Sequence, residues 1–442
     1  MSFHHSNIIK GLTPLPHWNH LNSGNIEMTA ATIKTPFEKR IKRHLIGRKR
    51  QFFAPTAPGL ETICREELKD LLPADTPMEM VEGGIAFEGR LHECYLANLK
   101  LRTANRLLMR IESFHAANFR KLKKHLADVP WELFILPGAP TRIRVVTRHS
   151  RLYHKDAVAG LVRESIASRL AQNEFPWEPT PEPTITQQIF VRLSDDHVTL
   201  SIDSSGDLLH KRGIKPRAAK APIRETLAAA ALILSGYTGA EPLLDPMCGS
   251  GTFSIEAALI ALRIPSGRFR NFAFMEWPSF QPKRWEYMKQ AAEKKIVRTN
   301  TPFIFASDRD HRAVCELEES VTRHGISNIV SVSNRDFFDL LPTELTTRPG
   351  LVTLNPPYGR RLGSRRESDA LFLSVCERLK KEYKGWKFIL ISLNPRLAGM
   401  IPFRSTTHML PHGGLKIALM TGRISGNNKA YKAKPVSKHG QR

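Results

Sequence analysis

Leu243-Leu244-Asp245-Pro246-Met247-Cys248-Gly249-Ser250-Gly251-Thr252-Phe253 decides how the second half of this chain folds. An apolar run ends in an acid, crosses a Gly-x-Gly turn and enters 254–262, Ser-Ile-Glu-Ala-Ala-Leu-Ile-Ala-Leu. That reads as strand, tight turn, helix. Glycine reaches positive φ without a Cβ penalty and lets backbone amides approach a ligand. The spacing is not Gly-x-Gly-x-x-Gly, so a nicotinamide dinucleotide is not the expected ligand. Further on, the apolar run 350–354 stops at Asn355-Pro356-Pro357-Tyr358. It reads as a buried strand halted by two prolines. An asparagine at the carboxyl end of a strand sits where open α/β sheets keep their ligands. Its amide oxygen and a proline carbonyl can each accept from an exocyclic amine. Tyr358 can stack on a base. Alone, the corner is equally a strand-ending turn with a buried tyrosine.

Together and in this order, the two stretches resemble class I S-adenosylmethionine-dependent methyltransferases of the amino-methylating kind. The resemblance narrows through Leu209-His210-Lys211-Arg212-Gly213 and the stretch 221–230, Ala-Pro-Ile-Arg-Glu-Thr-Leu-Ala-Ala-Ala. These precede the glycine loop and the Asn-Pro-Pro-Tyr corner in the THUMP-domain RNA guanine-N2 methyltransferases. The opening 52–61, Phe-Phe-Ala-Pro-Thr-Ala-Pro-Gly-Leu-Glu, also looks like that group. Residues 51–424 are similar to the bacterial 23S rRNA (guanine-N2)-methyltransferase family in its single-methyltransferase form.

The resemblance implies an α/β fold: a Rossmann-like, seven-stranded class I methyltransferase domain preceded by small ferredoxin-like and THUMP-like modules that bind RNA. It implies S-adenosyl-L-methionine as cofactor, held by Thr226, Asp245, Pro246, Met247, Cys248, Gly249 and Gly251, by Asp308 and Arg309, and by Asp336 and Phe337. Asp308 ends the strand 303–308, where a carboxylate suits a ribose diol. Asp336 follows the strand 329–333; it can accept from the adenine amine while Phe337 packs on the ring, or be a plain turn acid. Asn355, Pro356, Pro357 and Tyr358 form the catalytic corner. The implied partner is RNA, large-subunit rRNA or its assembly intermediate, with transfer RNA as the rival. A non-catalytic assembly factor is the alternative of another class. The similar bifunctional enzymes carry a second methyltransferase domain, and a single mark is expected of this chain.

Charge supports a polyanionic partner. Against 42 Asp+Glu stand 66 Lys+Arg, a net charge of +24 over 442 residues. Nucleic acid fits this excess first, an anionic membrane surface second, and a merely basic surface also accounts for it. The five cysteines are scattered without a Cys-x-x-Cys pair, which predicts reduced thiols, no zinc and a cytoplasmic setting. No apolar run is long enough to span a membrane.

Residues 1–50 read as a basic, disordered extension, with Met28 as a candidate true start. A ferredoxin-like module is expected over 51–91 and a THUMP-like RNA-binding domain over 92–205, with helices near 60–72, 91–101 and 154–172. Strands fall near 85–88, 107–114 and 142–147, and a hairpin over 189–202 turns at Asp195-Asp196. Residues 206–221 form a basic linker whose Lys211, Arg212, Lys215, Arg217 and Lys220 are candidates for RNA phosphates; Pro222 should start a helix. The methyltransferase domain spans 222–424. Its insertion, 264–301, carries Phe269, Phe272, Phe274, Trp277, Phe280, Trp285 and Tyr287. These make either an RNA-stacking surface or, the better reading, a helical flap packed on the sheet. Beyond Tyr358, Arg360, Arg361, Arg365 and Arg366 suit RNA phosphates or simply a solvated loop. A helix over 369–381, a strand over 387–392 and a hairpin over 406–421 complete seven strands. The tail 425–442 is basic and expected to be disordered.

Overall fold

The structure, a computed structural model, describes residues 35–172, 182–215, 223–357 and 364–425. Two seven-stranded sheets account for the fold.

Helical structure is present ahead of residue 51, within the stretch expected to be a disordered extension. Helix α1 (Pro36–Ile41) opens on a capping box between Thr35 and Glu38, and a π-helical turn (Lys42–Ile46) extends it. Phe37, Ile41 and Leu45 recur on one face and are buried in the N-terminal core. The flanking cations had made this segment read as a solvated tail. Three apolar residues at helical spacing outweigh them, because burial is set by the face and not by the net charge.

The first sheet is built from β1 (Arg50–Pro55), β2 (Met78–Val81), β3 (Gly84–Gly89), β4 (Leu108–His115), β5 (Thr141–Arg148), β6 (Gln187–Ser194) and β7 (His197–Asp203). Its order is β2-β3-β1-β4-β7-β6-β5. Four helices serve it: α2 (Glu61–Leu71), α3 (Leu91–Lys100), α4 (Phe119–Asp128) and α5 (Lys155–Gln172). The β6–β7 hairpin turns at Asp195 and Asp196, both at positive φ. Strand β4 pairs with β1 on one side and β7 on the other. The two expected modules therefore share one continuous sheet, and the boundary expected at residue 91 falls inside it.

The second sheet holds β8 (Leu243–Asp245), β9 (Ile304–Asp308), β10 (Val330–Asn334), β11 (Leu351–Leu354), β12 (Lys387–Ser392), β13 (Ser405–His412) and β14 (Leu415–Arg423). Its order is β10-β9-β8-β11-β12-β14-β13, parallel except for β14, which runs antiparallel to both neighbours. Alternate residues of the central strands enter opposite cores. Leu351 and Ile389 join α6 (Glu225–Leu234), α7 (Thr252–Ala261) and α9 (His311–Arg323). Val352 and Phe388 join α10 (Arg365–Glu382). This two-sided burial is why these strands read as unbroken apolar runs. Helix α6 begins at Glu225, not at Pro222, which lies outside the described residues.

Of the insertion's aromatics, Phe269 alone packs on the methyltransferase core. The insertion's helix α8 (Pro282–Glu293) and a 3₁₀ turn (Ala273–Glu276) bury Phe272, Phe274, Trp277 and Trp285 in the N-terminal core. Phe274 stacks on Tyr95 of α3 with centroids 4.3 Å apart. The insertion is thus a clamp joining the two sheets, and of its aromatics Tyr287 is the one left largely exposed.

The seam also absorbs the basic linker. Leu209 and Ile214 are buried, and Arg212, 3 % exposed, crosses into the gap between the units. Its Nε donates to Glu256 on α7 at 2.9 Å, and its other nitrogens donate to the Leu209 and Arg102 carbonyls. Lys215 is buried against Thr252 and forms an ion pair with Glu225. Neither cation is free for RNA phosphate. Lys211 remains exposed, paired with Asp207. Arg217 and Lys220 lie outside the described residues, as do Arg360, Arg361 and the tail from 426; Arg365 opens α10, and Arg366 on its first turn is exposed.

Candidate active site

Strand order reverses between β8 and β11: successive strands are laid outward to β9 and β10 on one side and to β11 and β12 on the other. The crevice at the carboxyl ends beside such a switch point is where open α/β sheets bind ligands. A cavity of about 600 Å³ opens there. Each of four consecutive elements sends a polar residue into it: Asp245 from β8, Asp308 from β9, Asp336 beyond β10 and Asn355 beyond β11.

The glycine loop forms the floor. Gly249 and Gly251 both take positive φ. A Cβ on Gly249 would meet nothing, since that side is open, whereas one on Gly251 would strike Leu317 of α9. Gly251 therefore serves close packing at the start of α7, and it is not among the lining residues. Pro246, Met247 and Cys248 are. Burial, then the charges of Asp245 and Asp308, push the Cys248 thiol well above its ordinary pKa, so it is a packing group and not a nucleophile.

Asp245 is 1 % exposed and accepts from the Ser254 amide at 3.2 Å and the Ser254 hydroxyl at 2.7 Å, which ties the strand to the first turn of α7. Burial pushes its carboxyl up to about 6 despite those bonds, and nearby Asp308 adds to the shift. Asp308 is half-buried. One oxygen accepts from the Gly249 amide at 2.8 Å, the other from the Asp310 amide at 3.0 Å. Each carboxylate oxygen keeps a lone pair for a diol. Asp336 accepts from the Phe338 amide at 2.8 Å. Phe337 touches the cavity but is packed against Tyr383, whereas Phe338, 37 % exposed, offers the freer ring.

At the far wall stand Asn355 and Pro357. The Asn355 Oδ1 is buried and has no hydrogen-bond partner among the described residues. An orphaned buried acceptor costs on the order of 1–3 kcal/mol, and it is tolerated where a ligand satisfies it. Pro356 is buried behind this wall and Tyr358 lies outside the described residues. Arg309 lines the rim. Thr226 is buried on α6 and does not line the cavity; Ile223, just ahead of the helix, does. Reading by motif also missed Asp310, Arg312 and Glu316 along α9. No motif marks them, but their spacing on one helix face below Asp308 could have.

A sheet of this order, parallel but for β14, with a glycine loop and acids at successive strand ends, defines a class I S-adenosylmethionine-dependent methyltransferase. The comparisons are specific. Residues 212–412 match the "RMKL-like, methyltransferase domain" and residues 51–108 the "RlmL ferredoxin-like domain", which carries that module past its expected end at 91. The "Ribosomal RNA large subunit methyltransferase K/L" of Methylococcus capsulatus is 34 % identical over 84 % of this chain and 50 % of its own length. The Synechocystis protein named "Putative RNA methyltransferase slr0064" is 30 % identical over 84 % of this chain and 96 % of its own length. The crystal structure titled "SMU.472, a putative methyltransferase complexed with SAH" superposes with a TM-score of 0.75 at 26 % identity, over 86 % of this chain and 100 % of that one. The chain belongs to the RMKL-like methyltransferase family. It spans about half the length of the K/L relatives it matches and nearly all of the Synechocystis one.

The residues fit the family's cofactor. The volume suits a nucleoside with an amino-acid arm. The open face of Gly249, the free lone pairs of Asp308 and the ring of Phe338 lie on one side, and the unsatisfied Asn355 oxygen on the other.

Proposed function

We propose that this protein methylates the exocyclic N2 of a guanine in RNA, most simply in large-subunit ribosomal RNA. The observation that carries the reading is the buried, unpartnered Asn355 Oδ1 facing the cofactor cavity. The K/L relatives are named for large-subunit rRNA, and the net charge of +24 suits a polyanionic substrate.

S-adenosylmethionine supplies, when bound, a sulfonium methyl that is already electrophilic. The chain's own residues then have three tasks. Asp308 and Asp336 hold the ribose and the adenine edge, fixing where the methyl lies. Asn355, with the Pro356 carbonyl beside it, accepts the two N–H bonds of the incoming amine, which localises its lone pair and aims it. The walls exclude water from that approach. Orientation of this kind supplies on the order of 7–11 kcal/mol of barrier lowering, so no strong base is needed. A paired or stacked guanine cannot enter, and the target nucleotide must be unpaired or flipped out. In this reading residues 92–205 act as a THUMP-like RNA-holding domain.

The test uses methyl-labelled cofactor, the purified protein and total RNA from cells lacking it. N2-methylguanosine in the large rRNA is the expected product. The same nucleoside in transfer RNA moves the substrate. Label on adenine overturns the base assignment, and no RNA label with cofactor still bound overturns the RNA reading.

A further inference from the structure

The clamp that joins the two sheets leaves one groove on its outer side. Helix α3 presents His92, Leu96 and Lys100 along one stripe; α8 presents Arg284, Met288 and Ala291 along the facing one, with Lys295 just beyond its end. The groove is separate from the methyltransferase cavity and holds about 400 Å³. Leu96, Met288 and Ala291 make an apolar floor. Tyr287 stands beside it, 72 % exposed, the most exposed large apolar side chain of the described residues.

Charge in the groove is of one sign. No carboxylate lines it. The nearest acids on α8 are engaged elsewhere, Glu286 with Lys289 and Glu293 with Arg268. Lys100, Arg284 and Lys295 have no ion-pair partner among the described residues. Burial and then the like charge of Lys295 hold the half-buried Lys100 ammonium below its ordinary pKa. Two cations converging on an apolar slot with no acid between them are stabilised by an external anion. A flat exposed ring next to them stacks on any base, and this pairing of cations with an aromatic platform is how single strands are held without sequence preference.

We propose that the α3–α8 groove seats an unpaired nucleotide of the substrate RNA, its base on Tyr287 and the apolar floor and its phosphate between Lys100 and Lys295. The inference rests on the RNA reading above and adds a second point of attachment. The strand that delivers the target guanine is gripped on the clamp, away from the catalytic cavity.

The test is fluorescence anisotropy with the full-length protein and a fluorescein-labelled single-stranded oligouridylate, beside an RNA duplex of equal length. Tyr287→Ala should weaken single-strand binding by about 5- to 100-fold, and Tyr287→Trp should retain it. Lys100→Gln with Lys295→Gln should lower the slope of log affinity against log salt by about 0.7, the share of the one phosphate they hold. All these side chains are at the surface, so unchanged thermal midpoints and unchanged cofactor affinity separate loss of contact from loss of fold. Wild-type affinity in all three variants overturns the groove while leaving the RNA reading intact. A wild-type protein that binds neither RNA overturns both. A change of oligomeric state on Tyr287→Ala, with RNA affinity unaltered, makes the groove a protein contact and overturns the proposal.

Discussion

Replacing Glu256 with alanine should separate the two halves of this molecule more than any surface change. Its carboxylate is fully buried on α7. It accepts from Arg212 Nε at 2.9 Å and lies 3.8 Å from the guanidinium of Arg102. Arg102 belongs to the N-terminal unit and also donates to the Leu259 and Ile264 carbonyls at 3.1 and 2.7 Å, gripping the C-terminal end of α7. Removing the acid leaves two cations facing each other out of water. Breaking a buried pair in this way costs about 3–5 kcal/mol. For a unit of about 200 residues that corresponds to a midpoint roughly 6–20 °C lower. Scanning calorimetry reads the midpoint, and titration with cofactor reports whether α7 still presents its N-terminal turn. The double change Glu256→Leu with Arg212→Met should recover part of the loss, because it removes one of the two stranded cations and ends their mutual repulsion, while Arg102 stays without its acid. A midpoint within about 2 °C of wild type for Glu256→Ala would refute the argument that this seam is held by charge.

Other consequences follow from the same geometry. Asp308→Ala removes the acceptor for the Gly249 and Asp310 amides and the expected diol ligand. Cofactor affinity measured by calorimetry should fall about 10- to 100-fold, from charged hydrogen bonds worth about 1.5–3 kcal/mol; an unchanged dissociation constant removes Asp308 from the site. Asp245, raised to about 6, is mostly neutral below that pH and mostly ionised above it. A neutral carboxyl cannot attract a sulfonium cation, so cofactor affinity should rise through pH 6 and level off, and Asp245→Asn should flatten the rise. An identical profile in the two proteins assigns the titration elsewhere. Gly251→Ala should lower the thermal midpoint, because the added Cβ meets Leu317 at a left-handed φ of 69°. The strain alone is about 1–2 kcal/mol, and a midpoint equal to wild type would mean that α9 yields freely.

What could be read from the sequence was what is local. The β8 loop, the corner after β11 and the acid ending β9 each depend on neighbours a few residues away, so composition and period reveal them. The central strands of the second sheet were legible because burial on both faces leaves uninterrupted apolar runs, whereas the edge strands β10 and β13 are partly exposed and mixed in composition. What was hidden depends on partners far along the chain. Arg212 and Lys215 looked like linker cations because Glu256 and Thr252, which bury them, lie 44 and 37 residues on. The insertion's aromatics signalled packing, but not that, Phe269 apart, their core was that of the other sheet. Phe338 was passed over for Phe337 because adjacent aromatics do not show which one turns inward. Thr226 was carried by resemblance alone, and it faces the core. Residues 36–46 were read by charge when their apolar spacing was the stronger signal.

The catalytic claim depends on Asn355, and the most direct test is single-turnover methyl transfer by Asn355→Ala, with cofactor affinity measured on the same protein. In the proposed reaction Asn355 contacts the incoming amine and not the nucleoside side of the cavity. The account predicts cofactor affinity within about threefold of wild type and transfer slowed by about 100-fold or more, the usual consequence of losing one aligned polar group at the reacting centre. Equal losses in both would make Asn355 part of the cofactor site. Full activity would contradict the account outright.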